Sequence, residues 1–173
     1  DGATIFLEDL LSEVNFGGIW TVPQLRNLLK EIKTAWRDDV DPRGLPDPAA
    51  RITELTLQFS RVYRLADWDY TVPLAHRLLR EGGELPSWVA RLKHFMVDEY
   101  QDFNAAEQSF LQTLTGRADS VVIVGDDDQS IYSSRGGKPD GLRTIFVSPT
   151  IDSVTFVNCY RCKTNIVTAA NRF

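Results

Sequence analysis

Residues 94–102 read HFMVDEYQD, and the apolar run near the start of this stretch ends abruptly in Asp98 and Glu99. A second apolar run, Val121–Val124, ends in a similar way, in Gly125 and three aspartates. Continuous rather than alternating apolar residues are typical of strands that are buried on both faces of a parallel sheet. The sequence therefore predicts an α/β fold with acidic residues at the carboxyl ends of two strands.

The residues around these two runs extend the same pattern. Ala105–Leu114 has the spacing of an amphipathic helix, which would join the two strands as a β–α–β unit with a right-handed crossover. Two more apolar runs, Thr144–Val147 and Val154–Val157, predict further strands, and a helix is predicted from about Thr164 to the end of the chain. From about residue 94 onward we therefore expect part of a parallel sheet with its connecting helices.

Apolar residues in the first ninety or so positions recur at the 3.6-residue spacing of amphipathic helices. The spacing predicts helices over about 5–14, 21–36, 50–66, 70–81 and 87–93. Thr21 is a suitable cap for the second of them, with Pro23 in its first turn. Three prolines and a glycine predict a loop over Asp38–Pro48. The first half of the chain is therefore expected to be helical.

Composition and charge limit the classes of protein to which the chain can belong. The 173 residues carry 24 acidic and 19 basic side chains, a formal net charge of −5, whereas a groove for nucleic acid normally shows a basic excess. Charge alone therefore does not indicate a DNA-binding protein. No run of about eighteen apolar residues is present, and the acidic N-terminus lacks the basic region of a secretory signal, so we expect a cytoplasmic protein without a membrane partner.

Two cysteines, Cys159 and Cys162, lie at C-x-x-C spacing, which is compatible with metal binding or redox chemistry. A structural zinc site usually has four ligands, and the two histidines, His76 and His94, are far away in the sequence. The pattern therefore favours reduced thiols in a cytosolic protein, with a metal or redox role as the alternative.

Two adjacent carboxylates, Asp98 and Glu99, suit a nucleotide hydrolase because they follow a buried strand. The first can help to hold Mg²⁺, and the second can orient or deprotonate the attacking water. The alternative is a solvated acidic loop after a strand, and this pair of residues alone does not exclude it.

The second cluster, residues 121–137, reads VVIVGDDDQSIYSSRGG and adds a neutral amide to the acidic residues. Its three successive aspartates repel one another unless solvent, a cation or helix-terminal N–H groups offset their charge. Gln129 could detect a γ-phosphate beside a hydrolytic site, and Tyr132 and Arg135 could reach a second ligand. The alternative is a capped helix start followed by a solvated run of charge.

Together, the two clusters resemble motifs II and III of the UvrD/Rep-type helicases of superfamily 1. Those motifs read approximately D-E-x-Q-D and G-D-x-x-Q-S-I-Y-x-(aromatic)-R-G-A. Residues 98–102 contain the whole of the first, and the matches to the second are Gly125, Asp126, Gln129, Ser130, Ile131, Tyr132, Arg135 and Gly136. Residues 158–171, NCYRCKTNIVTAAN, are similar to motif IV, with cysteines in place of its usual Asn and Ser. The resemblance is good over about residues 65–173 and only architectural before them.

The resemblance implies an ATP site with Mg²⁺ and a contact with single-stranded DNA. The implied catalytic residues are Glu99 for activating water, Gln129 for sensing the γ-phosphate and Arg161 for stabilising charge in the transition state. The implied nucleotide contacts are Gln101, Asp102, Tyr160 (by stacking on adenine) and Arg161, with Asp98 coordinating Mg²⁺. The implied DNA contacts are Tyr132 and Arg135.

The resemblance also implies how the chain is divided and what the whole protein does. An all-helical 1B-like subdomain would cover residues 1–93. Part of a RecA-like P-loop NTPase motor domain (1A) would cover residues 94–153, and the start of a second motor domain (2A) would cover residues 154–173. The parent protein would be an ATP-dependent 3′→5′ DNA helicase or translocase, in DNA repair or replication.

Two departures from the family pattern limit these expectations. Ser134 stands where the family has an aromatic residue that stacks on DNA, and base–aromatic stacking is worth about 1–3 kcal/mol per base. The chain also contains no G-x-x-x-x-G-K-[ST] phosphate loop, and its single methionine is Met96, so we expect an inactive piece of a longer protein. We also expect a severed parallel sheet to self-associate.

Two other functions stay open on the sequence. The chain could be a non-catalytic interaction module descended from a helicase, which Ser134 and the missing phosphate loop would suit. It could also be a metal-dependent nuclease that uses the six carboxylates at positions 98, 99, 102, 126, 127 and 128, although no E-x-K motif or histidine accompanies them.

Overall fold

The computed structural model describes residues 8–13, 20–82, 84, 86–130, 136–170 and 172 of the chain. The chain divides into two compact units, Asp1–Leu142 and Arg143–Phe173. The first contains several helices followed by a small parallel sheet, and the second contains a stretch without regular secondary structure and a short helix. The parallel β–α–β unit agrees with the α/β class expected from the sequence.

Four α-helices precede the sheet in the described part of the chain, besides a helical segment over residues 8–13. They are α1 (Val22–Arg37), α2 (Ala49–Tyr63), α3 (Trp68–Arg80) and α4 (Ser87–Ala90). The predicted helices are confirmed, although α4 is shorter than expected and residues 5–7 and 14 of the first helix lie outside the described residues. No helix among the described residues combines the length and apolar character needed to cross a membrane.

Local backbone geometry sets the ends of these helices. At the start of α1, Thr21 donates from its backbone nitrogen and its hydroxyl to Oε1 of Gln24, at 2.9 and 2.8 Å. α2 ends earlier than predicted because Arg64 takes left-handed backbone angles, with φ 51°. α3 begins earlier than predicted because Asp67 caps it, accepting from the backbone nitrogen of Asp69 at 3.0 Å.

The main hydrophobic core lies among the helices of the first unit. Leu25, Ile32 and Trp36 lie on one face of α1 at helical spacing. They form a cluster with Leu10 and Ile52, and burying a leucine or isoleucine contributes about 1.5–3 kcal/mol to stability. The helical half of the chain therefore has a core of its own.

Ion pairs join the second half of α1 to the start of α3. Lys33 Nζ lies 2.5 Å from Asp67 and 3.3 Å from Asp69, and Arg37 Nε lies 2.7 Å from Asp69. Burial alone would raise the pKa of the Asp67 carboxyl, but the hydrogen bonds from Lys33 and from the Asp69 backbone outweigh burial and lower this pKa. The pairs help to hold α3 against α1.

The sheet consists of β1 (His94–Val97) and β2 (Ser120–Ile123), which run parallel, and α5 (Ala105–Thr115) lies between them in the chain. The register pairs the first residues of the two strands with each other, and likewise the last residues. Asn104 caps α5, where its Oδ1 accepts from the backbone nitrogen of Glu107 at 3.0 Å. The two strands and the helix between them are confirmed, but the expected burial of both faces is wrong, since Met96 of β1 is 85% exposed and Val122 of β2 is 52% exposed.

The helical half contacts the β–α–β unit through α3 and α5. His76 of α3 is 5% exposed, and its Nε2 lies 2.9 Å from the hydroxyl of Thr113 on α5. The His76 ring also meets Phe110 edge-on, with ring centroids 6.2 Å apart. These contacts fix the helix that connects the two strands.

The strand predicted over Thr144–Val147 is wrong. Most of these residues lie in a helix, α6 (Pro139–Phe146). Proline is favoured in the first turn of a helix, and the apolar Leu142, Ile145 and Phe146 then follow at i, i+3 and i+4. A short apolar run can belong to either a strand or a helix. Here the residues before the run indicate the helix.

The strand predicted over Val154–Val157 is also wrong, whereas the helix predicted from Thr164 is confirmed as α7 (Thr164–Ala170). Residues 152–159 have no regular secondary structure, and Phe156 is 88% exposed. A strand needs a hydrogen-bonding neighbour, and the sheet of the described residues contains β1 and β2 alone. An apolar run without such a neighbour forms no strand.

Replacing Leu25 by alanine should lower the free energy of unfolding of the chain by about 2–5 kcal/mol, because it removes a fully buried side chain from the core. Urea denaturation followed by circular dichroism measures this change. Leu78→Ala on α3 is the matched control, since Leu78 is 59% exposed, and it should change stability by less than about 0.5 kcal/mol. Equal losses in the two variants would contradict the position of the core.

Candidate active site

The carboxyl ends of β1 and β2 lie side by side. Beyond the last paired residues, Val124 donates from its backbone nitrogen to the carbonyl of Val97 at 2.8 Å. The backbone nitrogen of Tyr100 then donates to the carbonyl of Val124 at 3.2 Å. Strand pairing thus continues into the two loops and places residues 98–102 next to residues 125–129.

Asp98 and Glu99 come directly after β1, and both residues are exposed. Glu99 has left-handed backbone angles, φ 53° and ψ 40°, a conformation that is uncommon for residues other than glycine. The Asp98 carboxylate accepts a hydrogen bond from the Glu99 backbone nitrogen at 2.9 Å. This sharp turn presents two adjacent carboxylates at the edge of the sheet.

Gln101 follows Glu99 closely in the sequence but is only 1% exposed. Its Nε2 donates to Oε2 of Glu99 at 2.7 Å, and its Oε1 accepts from the backbone nitrogen of Asp126 at 3.0 Å. One buried amide thus joins the loop after β1 to the loop after β2. A buried side-chain amide needs hydrogen-bond partners for its NH₂ group and its oxygen, because a buried donor or acceptor without a partner destabilises a fold.

Gly125 allows the two loops to approach closely. A Cβ atom at this position would lie 2.7 Å from Oε1 of Gln101 and 2.9 Å from Cδ2 of Leu142. The neighbouring Tyr100 is 1% exposed and packs edge-on against Phe103, and burial raises the pKa of its hydroxyl. The floor of the site is therefore closely packed.

The loop after β2 forms a 3₁₀ turn, Asp127–Gln129, which Asp126 caps. Oδ1 of Asp126 accepts from the backbone nitrogen of Asp128 at 3.1 Å, and its Oδ2 accepts from Nε2 of Gln129 at 2.5 Å. The alternative of a capped helix start, considered from the sequence, describes this backbone correctly. The same turn also holds the exposed Gln129 amide against Asp126. The backbone nitrogen of Asp126 is in turn hydrogen-bonded to the Gln101 side chain.

Gln108 of α5 anchors the segment that leads into α6, although sequence analysis does not identify it. It is 9% exposed, and its Nε2 donates to the carbonyls of Phe103 at 3.0 Å and Lys138 at 2.8 Å. Lys138 Nζ in turn lies 3.1 Å from Oδ1 of Asp38, in the helical half. A polar residue on the buried face of an amphipathic helix is the kind of signal that identifies such an anchor.

Asp102 ends the 3₁₀ turn Tyr100–Asp102, and its backbone nitrogen donates to the Glu99 carbonyl at 3.0 Å. Its Oδ1 is buried and accepts no hydrogen bond from the described residues. A buried carboxylate oxygen without a donor is unfavourable, so this atom has an unused capacity to accept a hydrogen bond.

Within the described residues, no three His, Cys, Asp or Glu side chains gather into a group that could hold a metal ion. Mg²⁺, however, usually keeps several waters and binds through one or two carboxylates together with the phosphates of a substrate. The exposed Asp98 carboxylate, at the carboxyl end of a parallel strand, fits this partial donor set.

The remaining candidates lie elsewhere in the chain. Tyr132 and Arg135, together with Ser134, lie outside the described residues. Tyr160 and Arg161 belong to the second unit, where Tyr160 is 91% exposed. The first unit thus brings together the candidates between residues 98 and 129, and the second unit carries the other two that the structure describes.

Cys159 and Cys162 flank Tyr160 and Arg161, and both thiols are exposed and free. Backbone N–H groups of Cys162 and Arg161 lower the pKa of the Cys159 thiol, whereas the hydrogen bond and charge of Cys159 raise the pKa of the Cys162 thiol.

Comparison with known proteins finds related helicases. The family model for the UvrD/REP helicase N-terminal domain matches residues 24–145. The ATP-dependent DNA helicase Rep of Escherichia coli (strain K12) is 35% identical over 174 residues, which cover 94% of this chain and 26% of that protein.

Two further relatives match a shorter part of the chain. The ATP-dependent DNA helicase Rep of Salmonella typhimurium (strain LT2) is 35% identical over 107 residues, 61% of this chain and 16% of that protein. DNA helicase II of Escherichia coli (strain K12) is 34% identical over 109 residues, 62% of this chain and 15% of that protein. The matched part of the chain spans at most 26% of the length of these three relatives.

Gly125→Ala should destabilise the first unit by about 1–3 kcal/mol, because the added methyl group meets Gln101 and Leu142 at distances that packed atoms do not adopt. Chemical denaturation of the chain followed by circular dichroism measures this change. Gly44→Ala is the matched control, since a Cβ at Gly44 meets no atom within 4 Å. If the two variants lost the same stability, the close contact between the loops would be disproved.

Proposed function

The chain belongs to the UvrD/REP helicase family, and we propose that it carries the hydrolytic side of the ATP site of an ATP-dependent DNA helicase. The pairing of the two loops at the sheet edge carries this proposal. It places the exposed Glu99 carboxylate and the exposed Gln129 amide on neighbouring turns. Parallel α/β sheets bind their ligands at the carboxyl ends of their strands, so this edge suits a nucleotide.

In this proposal Asp98 coordinates Mg²⁺ and Glu99 activates the attacking water. The ion, when bound, helps to neutralise charge on the phosphates. Glu99 suits the role of a base because its carboxylate is exposed but is also held by the Gln101 amide at 2.7 Å. Gln129 suits a γ-phosphate sensor because a neutral amide can either donate or accept a hydrogen bond.

We also propose that Asp102, Tyr160 and Arg161 are nucleotide contacts, and that Gln101 belongs to the site as a buried residue that holds Glu99. Oδ1 of Asp102 has no hydrogen-bond partner in the part of the chain that the structure describes, which supports a contact with a bound group. An exposed tyrosine can stack on adenine, and an arginine can stabilise the charge that develops on the γ-phosphate.

The proposed partner of the whole protein is single-stranded DNA, along which it would move 3′→5′ in DNA repair or replication. Tyr132 and Arg135 are the proposed DNA contacts because they match the family motif. Ser134 stands where the family has an aromatic residue that stacks on DNA, so we expect weaker binding to the bases at this position. The proposed location of the whole protein is the cytoplasm.

For the organisation of the chain we propose a 1B-like subdomain over residues 1–93, part of motor domain 1A over 94–153 and the start of 2A over 154–173. The separate core of the helical half and the start of β1 at His94 support the first boundary. A motor of this kind also needs a phosphate loop, which these 173 residues do not contain.

In the full-length protein, Glu99→Gln should bind ATP with near-normal affinity but hydrolyse it at least about 100-fold more slowly, because a general base contributes that much or more. Steady-state ATPase assays with single-stranded DNA and equilibrium binding of a fluorescent ATP analogue measure the two properties. Glu31→Gln, at an exposed carboxylate on α1, is the matched control and should keep normal turnover. Normal turnover in Glu99→Gln would exclude Glu99 as the base.

The isolated 173-residue chain should hydrolyse no ATP above background, because it contains no loop that cradles the phosphates. It should also self-associate, since Met96 and Val122 of the sheet are 85% and 52% exposed. ATPase assays with the Glu99→Gln chain as a blank, and light scattering over a concentration series, measure these properties. Hydrolysis that depends on Glu99 would contradict the first expectation, and a monomer at high concentration the second.

A further inference from the structure

The Gln101 side chain lies between two parts of the proposed site and has both of its polar atoms engaged. It is 1% exposed, it donates to Glu99 at 2.7 Å, and it accepts from the Asp126 backbone at 3.0 Å. Its backbone carbonyl also lies 3.5 Å from the hydroxyl of Ser130, which donates to it. Gln101 therefore contacts the loop after β2 through its side chain and its backbone.

An amide is the side chain that satisfies both contacts at once. Its NH₂ group donates to the Glu99 carboxylate, and its carbonyl oxygen accepts from the N–H of Asp126. A glutamate at position 101 would place a second negative charge against Glu99, and an apolar side chain would leave both partners without their hydrogen bond. The missing Cβ of Gly125 leaves room for the amide oxygen.

Hydrogen bonds continue from Gln101 to the neighbouring turn. Asp126 donates to Gln101 from its backbone, and its carboxylate accepts from Nε2 of Gln129 at 2.5 Å. An unbroken path therefore runs from Glu99 through Gln101 and Asp126 to Gln129. Contiguous hydrogen-bonded networks of this kind can carry energetic coupling between two positions.

We propose that Gln101 is a positioning residue that ties the orientation of the Glu99 carboxylate to the position of the Gln129 turn. When this turn moves, the N–H of Asp126 moves with it, and the Gln101 amide transmits the displacement to Glu99. Glu99 is then aligned for water activation when the Gln129 turn is in place. The inference rests on the proposed roles of Glu99 as base and Gln129 as phosphate sensor.

The chain offers a matched control in Gln108. This glutamine is also buried, at 9% exposed, and its amide also spans two segments, through the carbonyls of Phe103 and Lys138. Its side-chain hydrogen bonds reach neither Glu99 nor Asp126. Loss of Gln108 should therefore reduce stability without misplacing the proposed base.

The experiment compares Gln101→Met, Gln101→Glu and Gln108→Met in the full-length protein, with kcat, KM for ATP, affinity for an ATP analogue and melting temperature as readouts. Methionine keeps a similar volume but removes both hydrogen bonds. Gln101→Met should lower kcat by about 100-fold, because small errors in alignment slow catalysis to that extent. Its KM and nucleotide affinity should stay within about threefold of normal. Gln108→Met should lower the melting temperature and leave kcat within about threefold.

Double variants separate positioning from a general structural effect. Gln101→Met added to Glu99→Gln should cause no further loss of turnover, because the proposed positioning acts through Glu99. Gln101→Met combined with Gln129→Ala should lose less than the sum of the two single losses in activation free energy. Additive losses, or an equal fall of kcat in Gln108→Met, would overturn the proposal.

Normal kcat in Gln101→Met would also overturn the proposal. If Gln101→Met does not fold, Gln101→Glu decides the question, since it keeps an acceptor for Asp126 but loses the donor to Glu99. Normal kcat in Gln101→Glu would likewise overturn the proposal, and a fall in kcat with nucleotide affinity retained would support it. Normal turnover in Glu99→Gln would instead overturn the proposed function, so the two failures are distinguishable.

Discussion

Two loops that are far apart in the sequence are held together by the side-chain amide of Gln101. The amide is hydrogen-bonded to Glu99 in one loop and to the backbone of Asp126 in the other, and Asp126 lies 25 residues after Gln101 in the chain. The bridge adds to the backbone pairing of Val97, Tyr100 and Val124, and it joins the turn that carries the exposed carboxylates to the turn that carries the Gln129 amide. Because an amide does not ionise, the hydrogen bonds of the Gln101 side chain do not depend on a protonation state of Gln101 itself. Gly125 is required beside it, since any side chain there would collide with the amide oxygen.

The helical half supports this bridge from outside the sheet. It has its own core around Leu25 and Ile52, and it holds α5 through the contact between His76 and Thr113. Lys138 adds a second connection. Its backbone carbonyl accepts a hydrogen bond from Gln108, and its side chain forms an ion pair with Asp38 in the helical half. These contacts lie away from the candidate active site and belong to the scaffold that carries the functional loops.

Membership of the UvrD/REP helicase family suggests a function for the two paired loops. In the proposed function, the first unit carries the hydrolytic residues, and the phosphate loop that they need is not among these 173 residues. Alignment within about an ångström controls catalytic rates, so the hydrogen-bonded path from Glu99 to Gln129 within the first unit is the feature that would set the position of the proposed base.

The helices and the two strands were predictable because periodic or continuous apolar residues leave a local pattern in the sequence, and Thr21 was recognisable as a helix cap for the same local reason. The motif residues of positions 98–102 and 125–129 were also identified from the sequence, and the fold places them at one sheet edge. The runs at 144–147 and 154–157 were misassigned, because a short apolar run takes its structure from its neighbours. The Gln101 bridge left no such pattern, and the only signal for the Gln108 anchor was a polar residue on the buried face of α5. Both join segments distant in sequence, so their partners are decided by which polar groups the folded chain brings within hydrogen-bonding distance.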